Sequence, residues 1–327
     1  MTNKQQTFSE PMNNNLSYHD DQTEVLTSEG WVYFKDLTLS HKVASLLNND
    51  TLMYQYPFKI HSCDFHGKMY HVKNENIDLL VTPDHGMFVT NPDENKFHII
   101  KAKDLEDKYV EYYRTIKYRN HNDLCVDDFR DSQCNLFHYK VLGAFYMNYI
   151  EKHSKSLLMS EKLEELLEEL LNHEFFTSKC TFDLESNEIT MKGGDYFYSN
   201  WNDVYFPNFM SNESIKQNLE FLNGMLLTSS CEDGKSMTGM TKYLSDNIQK
   251  LCLHSGKSCD ITLCNKEDKT YNVEVQDTSL ISVNKNEKED SWIDYEGKVY
   301  CCSVPSQKKN EGLIYVRRNG KPYWNCN

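Results

Sequence analysis

Thr82 and His85 stand three residues apart in the stretch Asn76 to Thr90, NIDLLVTPDHGMFVT. Apolar runs flank them, with Ile77, Leu79, Leu80 and Val81 before and Met87, Phe88 and Val89 after. The pattern reads as two β-strands around a tight polar turn, and Pro83-Asp84 is good turn chemistry. A threonine hydroxyl and an imidazole held rigidly by two strands suit the polarisation of one peptide bond. The imidazole would be the proton donor or base, and the hydroxyl a hydrogen-bond partner. An ordinary hairpin with an exposed histidine would carry the same residues, so the two ends of the chain decide between the readings.

The 327 residues are long enough for about two domains, and 39% hydrophobic content with 13% aromatics is enough to build cores. No apolar run reaches the roughly 18–20 residues of a membrane span, and the polar start MTNKQQTFSEPMNNN lacks an apolar signal core. A soluble, intracellular protein (cytoplasmic or nuclear, not secreted) is therefore expected, with no membrane partner. Eleven scattered cysteines without a CxxC pair argue against a disulfide framework and against a common zinc site. The net charge of −14 disfavours general binding to nucleic-acid phosphates.

Residues 1–16, rich in Asn and Gln, read as a disordered leader or foreign remnant. Thr23 to Thr27 reads as a strand, Ser28-Glu29-Gly30 as a turn, and Val32 to Leu37 as a second strand or short helix. Short strands continue to about Tyr118, with polar breaks at Asn48 to Asp50 and at His66-Gly67. From about residue 120 the character becomes α+β. Val141 to Ile150 and Leu219 to Leu227 are apolar helix candidates. Leu157 to Leu171 holds a helix starting near Ser160, with one leucine face. Residues 180–191 alternate like a strand pair around Glu185 to Asn187. Thr241 to His254 has a helical pattern that Gly256 is placed to end. Strands return at Tyr271–Val275, Leu280–Val283, Lys298–Val304, Gly312–Val316 and Lys321–Trp324. The organisation expected is a β unit over 17–118 and 286–327, split by an α+β insert over 119–285.

Four pieces in this order resemble an intein, a self-splicing element with a Hint fold: Thr23 to Trp31, Leu80 to His85, Tyr295 to Pro305, and Ile314 to Asn327. The insert is similar to a LAGLIDADG (DOD-type) homing endonuclease. Leu142 to Asn148 and Phe221 to Ser229 align with its two signature helices, and Leu244 to Gly256 with the helix after the second. The resemblance implies a mainly β Hint domain, split in sequence, carrying an α+β LAGLIDADG-like domain. It implies a nucleophile at the first intein residue, for which Ser17 is the candidate. Ser17 lies one residue further from Thr23 than the family's usual spacing, and the strict match, Tyr18, is no nucleophile of the usual kind. Thr82 and His85 would act on the Leu16–Ser17 bond. Cys301 falls where inteins place an Asp or Cys, Asn327 would cyclise, and Cys326 would be penultimate. Flanking extein sequences would be partners in cis, and splicing needs no cofactor.

Signature-helix acids of LAGLIDADG enzymes hold divalent metal. The matching positions are Asn148 and Ser229, neither charged, and residues 130–285 carry 15 Lys plus Arg against 23 Asp plus Glu. Both features point to a decayed endonuclease; Mg²⁺ would matter only if Glu151, Glu232 or Asp233 rescued the site. Gly256-Lys257-Ser258 fails as a phosphate loop because the required earlier glycine is Leu251. Arg317 to Lys321 reads as the exposed hairpin of the last splicing block. Other readings are a DNA-binding or DNA-cleaving protein that kept the endonuclease fold, and an inert interaction remnant.

Overall fold

A computed structural model describes residues 17–47, 51–94, 96–105, 108–116, 133–154, 156–158, 163, 180–183, 185–191, 214–283, 289–305 and 312–326. The described chain is mainly β. It opens with β1 (Glu24–Thr27), β2 (Gly30–Tyr33), β3 (Val43–Leu47), β4 (Thr51–Gln55) and the long β5 (Lys59–Lys73), then β6 (Asp78–Val81), β7 (Gly86–Thr90), β8 (His98–Lys101) and β9 (Val110–Tyr113). The middle holds α1 (Gln133–Lys152), β10 (Ser156–Leu158), β11 (Cys180–Asp183), β12 (Glu188–Met191), α2 (Ile215–Thr228), β13 (Ser236–Met240), α3 (Lys242–His254), β14 (Ser258–Asn265) and β15 (Thr270–Gln276). The chain closes with β16 (Leu280–Val283), β17 (Asp290–Ser303), β18 (Leu313–Arg318) and β19 (Lys321–Cys326).

Two compact units result, residues 1–121 with 277–327 and residues 122–276. The first boundary lies near the expected 118/119. The second is moved from 285/286 to 276/277, because β16 pairs with β9 over Leu280↔Tyr113 to Val283↔Val110. Asp290, expected in a linker, begins β17.

The first unit has three sheets. One runs β19-β18-β1-β3-β4 with β2 on β1, the second β16-β9-β7-β8, and the third β17-β5-β6. In the third, β17 and β5 pair in one unbroken register from Asp290↔Val72 to Ser303↔Lys59. His66-Gly67 is therefore no break: both residues sit inside this ladder, whose 14 cross-strand pairs override the local turn signal. The β18–β19 hairpin turns on Asn319-Gly320, with φ of 49° and 80°. Two successive positive φ values make the turn that matches strand twist, and Asn-Gly is the pair that tolerates them. β6 and β7, read as strands around one turn, do not pair with each other: β6 adds to β5 and β7 lies between β8 and β9. The Thr82–His85 turn is thus a crossover between two sheets, which buries it.

In the second unit α1 and α2 cross at two glycines. A Cβ on Gly143 would overlap the Phe221 carbonyl, and one on Gly224 the Lys140 carbonyl. Ser214 and Gln217 form a reciprocal capping box at the start of α2. Thr241 caps α3, and Gly256, at φ 72°, ends it. Leu157 and Leu158, just before the helix expected from near Ser160, form β10, where they pair with Ile189 and Glu188. Of that helix only Leu163, a buried core residue, lies among the described residues. No helix among the described residues is long and apolar enough to cross a membrane.

Candidate active site

The site begins with the backbone of residues 17–20. His19 pairs with Tyr300 of β17 and Val81 of β6, the two edges of the third sheet. His19 N–H donates to the Tyr300 carbonyl at 2.8 Å, Tyr300 N–H returns to His19 at 2.9 Å, and Asp20 N–H reaches the Leu80 carbonyl at 3.3 Å. These bonds fix the segment against the turn. Tyr18 N–H donates to Thr82 Oγ1 at 3.4 Å, and Thr82 N–H donates to the Tyr18 carbonyl at 3.1 Å. The turn itself is closed by His85 N–H to the Thr82 carbonyl at 3.0 Å. Gly86 N–H donates to Ser17 Oγ at 3.0 Å.

Thr82 and His85 are fully buried. Burial pulls the His85 pKa down to about 3, against partial opposition from the Asn325 side chain and the Tyr18 backbone. The ring is therefore a neutral imidazole at neutral pH. His19 lies edge-on to it, ring centroids 4.5 Å apart, and stacks on Phe34 at 5.1 Å. Its pKa is also lowered, first by burial and then by His85, with the Cys326 backbone acting the other way. None of the four imidazole nitrogens has a partner at full hydrogen-bond geometry.

The other end of the chain closes the site. Asn325 in β19 is fully buried, pairs with Ile314, and folds back so that its Oδ1 accepts Cys326 N–H at 3.1 Å. Its Nδ2 points to Met87 Sδ at 3.9 Å. Cys326 lies against Gly86: a Cβ there would stand 3.3 Å from both Cys326 Cβ and Sγ. Gly86 therefore touches Ser17 on one side and Cys326 on the other.

Ion pairs hold these pieces. Arg318 Nε donates to Asp20 Oδ2 at 2.9 Å and its Nη1 to Asp78 Oδ1. Asp78 also accepts from Asn319 at 2.7 Å and lies 3.3 Å from His71 Nε2. Burial alone would raise the Asp78 carboxyl, but His71, Asn319 and Arg318 together hold it down at about 2. Arg317 binds both oxygens of Glu24, at 2.7 and 2.8 Å, and lies 4.3 Å over the Trp31 ring. Of the basic run Arg317 to Lys321, expected to be an exposed hairpin, Arg317 is buried and Arg318 half-buried, both in ion pairs, while the hairpin tip at Asn319 is exposed.

Ser17, Thr82 and His85 come together. Thr82 bonds both the N–H and the carbonyl of Tyr18, and the Tyr18 backbone also bears on the His85 ring; Leu16 and Asn327, and with them the expected Leu16–Ser17 bond and cyclising Asn, lie outside the described residues. Cys301 is fully buried in a small cluster with Tyr18, Cys63 and Leu80, and its thiol is pushed well up by burial, then by Cys302 and Cys63. The sequence reading missed His19 and Asn325. An Asn followed directly by Cys at 325–326 was the available signal, passed over because the chain also ends in Asn.

In the second unit the two positions expected to replace metal-binding acids are structural. Asn148 Nδ2 donates to the carbonyls of Ser154 and Ser156, and Ser229 Oγ to that of Ser236. Glu151 is engaged by Ser230, through N–H and hydroxyl, and Asp233 accepts from Lys235 and Ser236. No cluster of three metal-binding side chains occurs among the described residues.

No family model matches the chain. It is 24% identical to the C-terminal section of a DNA-directed RNA polymerase subunit beta of Stigeoclonium helveticum, over 93% of this chain and 36% of that protein. It is 42% identical over 92 residues to an ATP-dependent Clp protease proteolytic subunit of Chlamydomonas moewusii, over 27% of this chain and 9% of that protein. The chain thus spans about a third and about a tenth of these curated relatives. Among solved structures, a glutathione-linked, splice-inactive variant of the AceL NrdHF class 3 split intein is similar over 32% of this chain and 66% of that one, at 24% identity and a TM-score of 0.26.

Proposed function

We propose that the chain is a self-processing element of the protein-splicing kind, which cleaves its own backbone at its two ends and carries an inserted, inactive endonuclease-like unit. The observation that carries this reading is the meeting of Ser17 and the Asn325–Cys326 pair at Gly86, beside a threonine and a neutral histidine that hold the Tyr18 amide. The groups that meet here come from segments near the two ends of the described residues, so the backbone they face is the chain's own. Asn325 is the cyclising residue. Its Nδ2 attacks its own carbonyl carbon, the bond to Cys326 N breaks, and a proton moves from Nδ2 to that nitrogen. The side chain is folded back with Oδ1 on the Cys326 N–H, so cyclisation needs a turn of the carboxamide that brings Nδ2 from Met87 to that carbon.

The relatives support the same reading. The shares of this chain matched to a polymerase subunit and to a protease subunit exceed the whole by about a fifth, so at least that much is common to both. Neither activity accounts for a segment present in both proteins; an inserted element housed in unrelated hosts does. The second unit fits the insert because α1 and α2 meet through glycines, with the neutral Asn148 in the last part of α1 and the neutral Ser229 capping α2. The test places the chain between two reporter domains and follows intact mass with time. Joined or cleaved reporters are expected, and Asn325→Ala should abolish release of the downstream reporter. Full-length protein alone after prolonged incubation would refute the proposal.

A further inference from the structure

We propose that Asn319 is a site of spontaneous deamidation, and that its conversion to a carboxylate loosens the ion-pair network around Arg318. The chain has two Asn-Gly doublets, Asn223-Gly224 and Asn319-Gly320. Deamidation needs the backbone nitrogen after the asparagine to reach the side-chain Cγ. Glycine in that place has no Cβ to crowd the approach. The two doublets therefore share their local chemistry, and the fold separates them.

Asn223 and Gly224 lie inside α2. Helix pairing commits the Gly224 N–H to the carbonyl four residues earlier. Gly224 also faces α1 so closely that a Cβ there would overlap the Lys140 carbonyl. This backbone cannot turn to close a five-membered ring without opening the helix pair. Asn319 and Gly320 lie beyond the last ladder pair of their hairpin, Arg318↔Lys321, and Asn319 is exposed. Turning this peptide breaks no strand pairing. Lys321 follows directly, and a neighbouring cation favours the anionic nitrogen that attacks.

The step balances with water as the one co-reactant. The Gly320 nitrogen loses its proton to solvent base and bonds to Asn319 Cγ. The Cγ–Nδ2 bond breaks, Nδ2 takes up a proton and leaves as ammonia, and residues 319–320 are left as a succinimide. Water then adds to one of the two ring carbonyls and gives aspartate or isoaspartate at position 319.

The consequence falls on Asp78. Asn319 Nδ2 donates to Asp78 Oδ2 at 2.7 Å, on the carboxylate that Arg318 ties to Asp20. Deamidation replaces this donor with a second carboxylate. Like charges then meet where a hydrogen bond stood, which disfavours the ionised form of Asp78. Isoaspartate also lengthens the backbone of a two-residue turn, and turn length sets the register of β18 on β19.

The test incubates the full chain at pH 8 and maps its peptides with time by tandem mass spectrometry. Asn319 should gain the deamidation mass roughly tenfold or more faster than Asn223, which must wait for local opening of α2. In guanidinium chloride the two doublets should react within about threefold of each other. Equal rates in the folded chain, or one ratio folded and unfolded, would overturn the proposal. Asn319→Gly accepts the positive φ and has no amide to lose. Aged wild-type protein should unfold at lower urea than fresh protein, whereas Asn319→Gly should age without change. Asn319→Asp mimics the product. It should lower the urea midpoint and raise the Asp78 pKa from about 2, read by carboxyl NMR. An unmoved midpoint with an unmoved Asp78 titration would overturn the link to Arg318. None of these readouts needs cleavage at either end, so this inference and the self-processing reading fail separately.

Discussion

Acid should destabilise the first unit through His85 well before the Asp78 carboxyl is protonated. The folded pKa of His85 is about 3, against 6.5 in the unfolded chain. Between these values only the unfolded state takes up the proton, so stability falls as the pH falls. The slope is about 1.36 kcal/mol per pH unit, and from pH 6.5 to 4.5 the loss is about 2.7 kcal/mol. His19, lowered for the same reason, adds a loss in the same direction. Asp78 titrates in a separate window. Its folded pKa of about 2 lies below 3.8, so its contribution is intact at pH 4.5 and is lost only below about pH 4. The assay is urea unfolding at pH 7 and pH 4.5, followed by tryptophan fluorescence. Trp31, Trp292 and Trp324, three of the four tryptophans, report on this unit. His85→Gln should lose about 2.7 kcal/mol less than its parent between the two pH values. Equal losses, within about 0.5 kcal/mol, would show that His85 is not held neutral by burial and would remove the basis for its role as proton acceptor.

Gly224→Ala should destabilise the second unit by about 3 kcal/mol or more, because the new methyl meets a backbone carbonyl that cannot turn away; a urea midpoint from circular dichroism reads this. Arg318→Met should cost about 3–5 kcal/mol, since it strands Asp20 and Asp78 in a buried site. It should also raise the Asp78 pKa, visible by carboxyl NMR titration. On the proposed reading the chain with Mg²⁺ should leave long double-stranded DNA uncut in a gel assay, because Asn148 and Ser229, where that reading requires acids, are neutral and spent on local carbonyls.

The elements were legible where the signal is local. Alternation marked β11 and β12, an apolar run marked α2, spacing and a closing glycine marked α3, and the Asn-Gly turn lies between two runs read as strands. Pairing was not legible, because it is set by partners far along the chain. β6 and β7 look like arms of one hairpin, yet each finds a different sheet. The polar look of His66-Gly67 is overridden by a facing strand more than 200 residues away. Arg317 and Arg318 read as surface residues because Glu24 and Asp20 lie 293 and 298 residues away in sequence. In the site, Thr82 and His85 were readable from their turn. The backbone partner of Thr82 was not, because a register shift of one residue decides whether the N–H of Ser17 or of Tyr18 meets Thr82 Oγ1.

The charge network explains how such a site is held in register with uncharged residues at its centre. Proton transfer through an imidazole works best without a fixed charge nearby, and the two histidines are neutral here because they are buried. Neutral groups attract one another weakly, so the strong interactions sit one step outward. A single guanidinium, Arg318, ties Asp20, two residues after Tyr18, to Asp78, four residues before Thr82. Arg318 itself ends β18, the hairpin partner of the strand carrying Asn325. The three segments that meet at the candidate site are therefore tied together by Arg318. Burial sets the proton affinity of the site, and ion pairing sets its geometry. The two can vary independently because Asp78 titrates below the pH range in which His85 destabilises the fold.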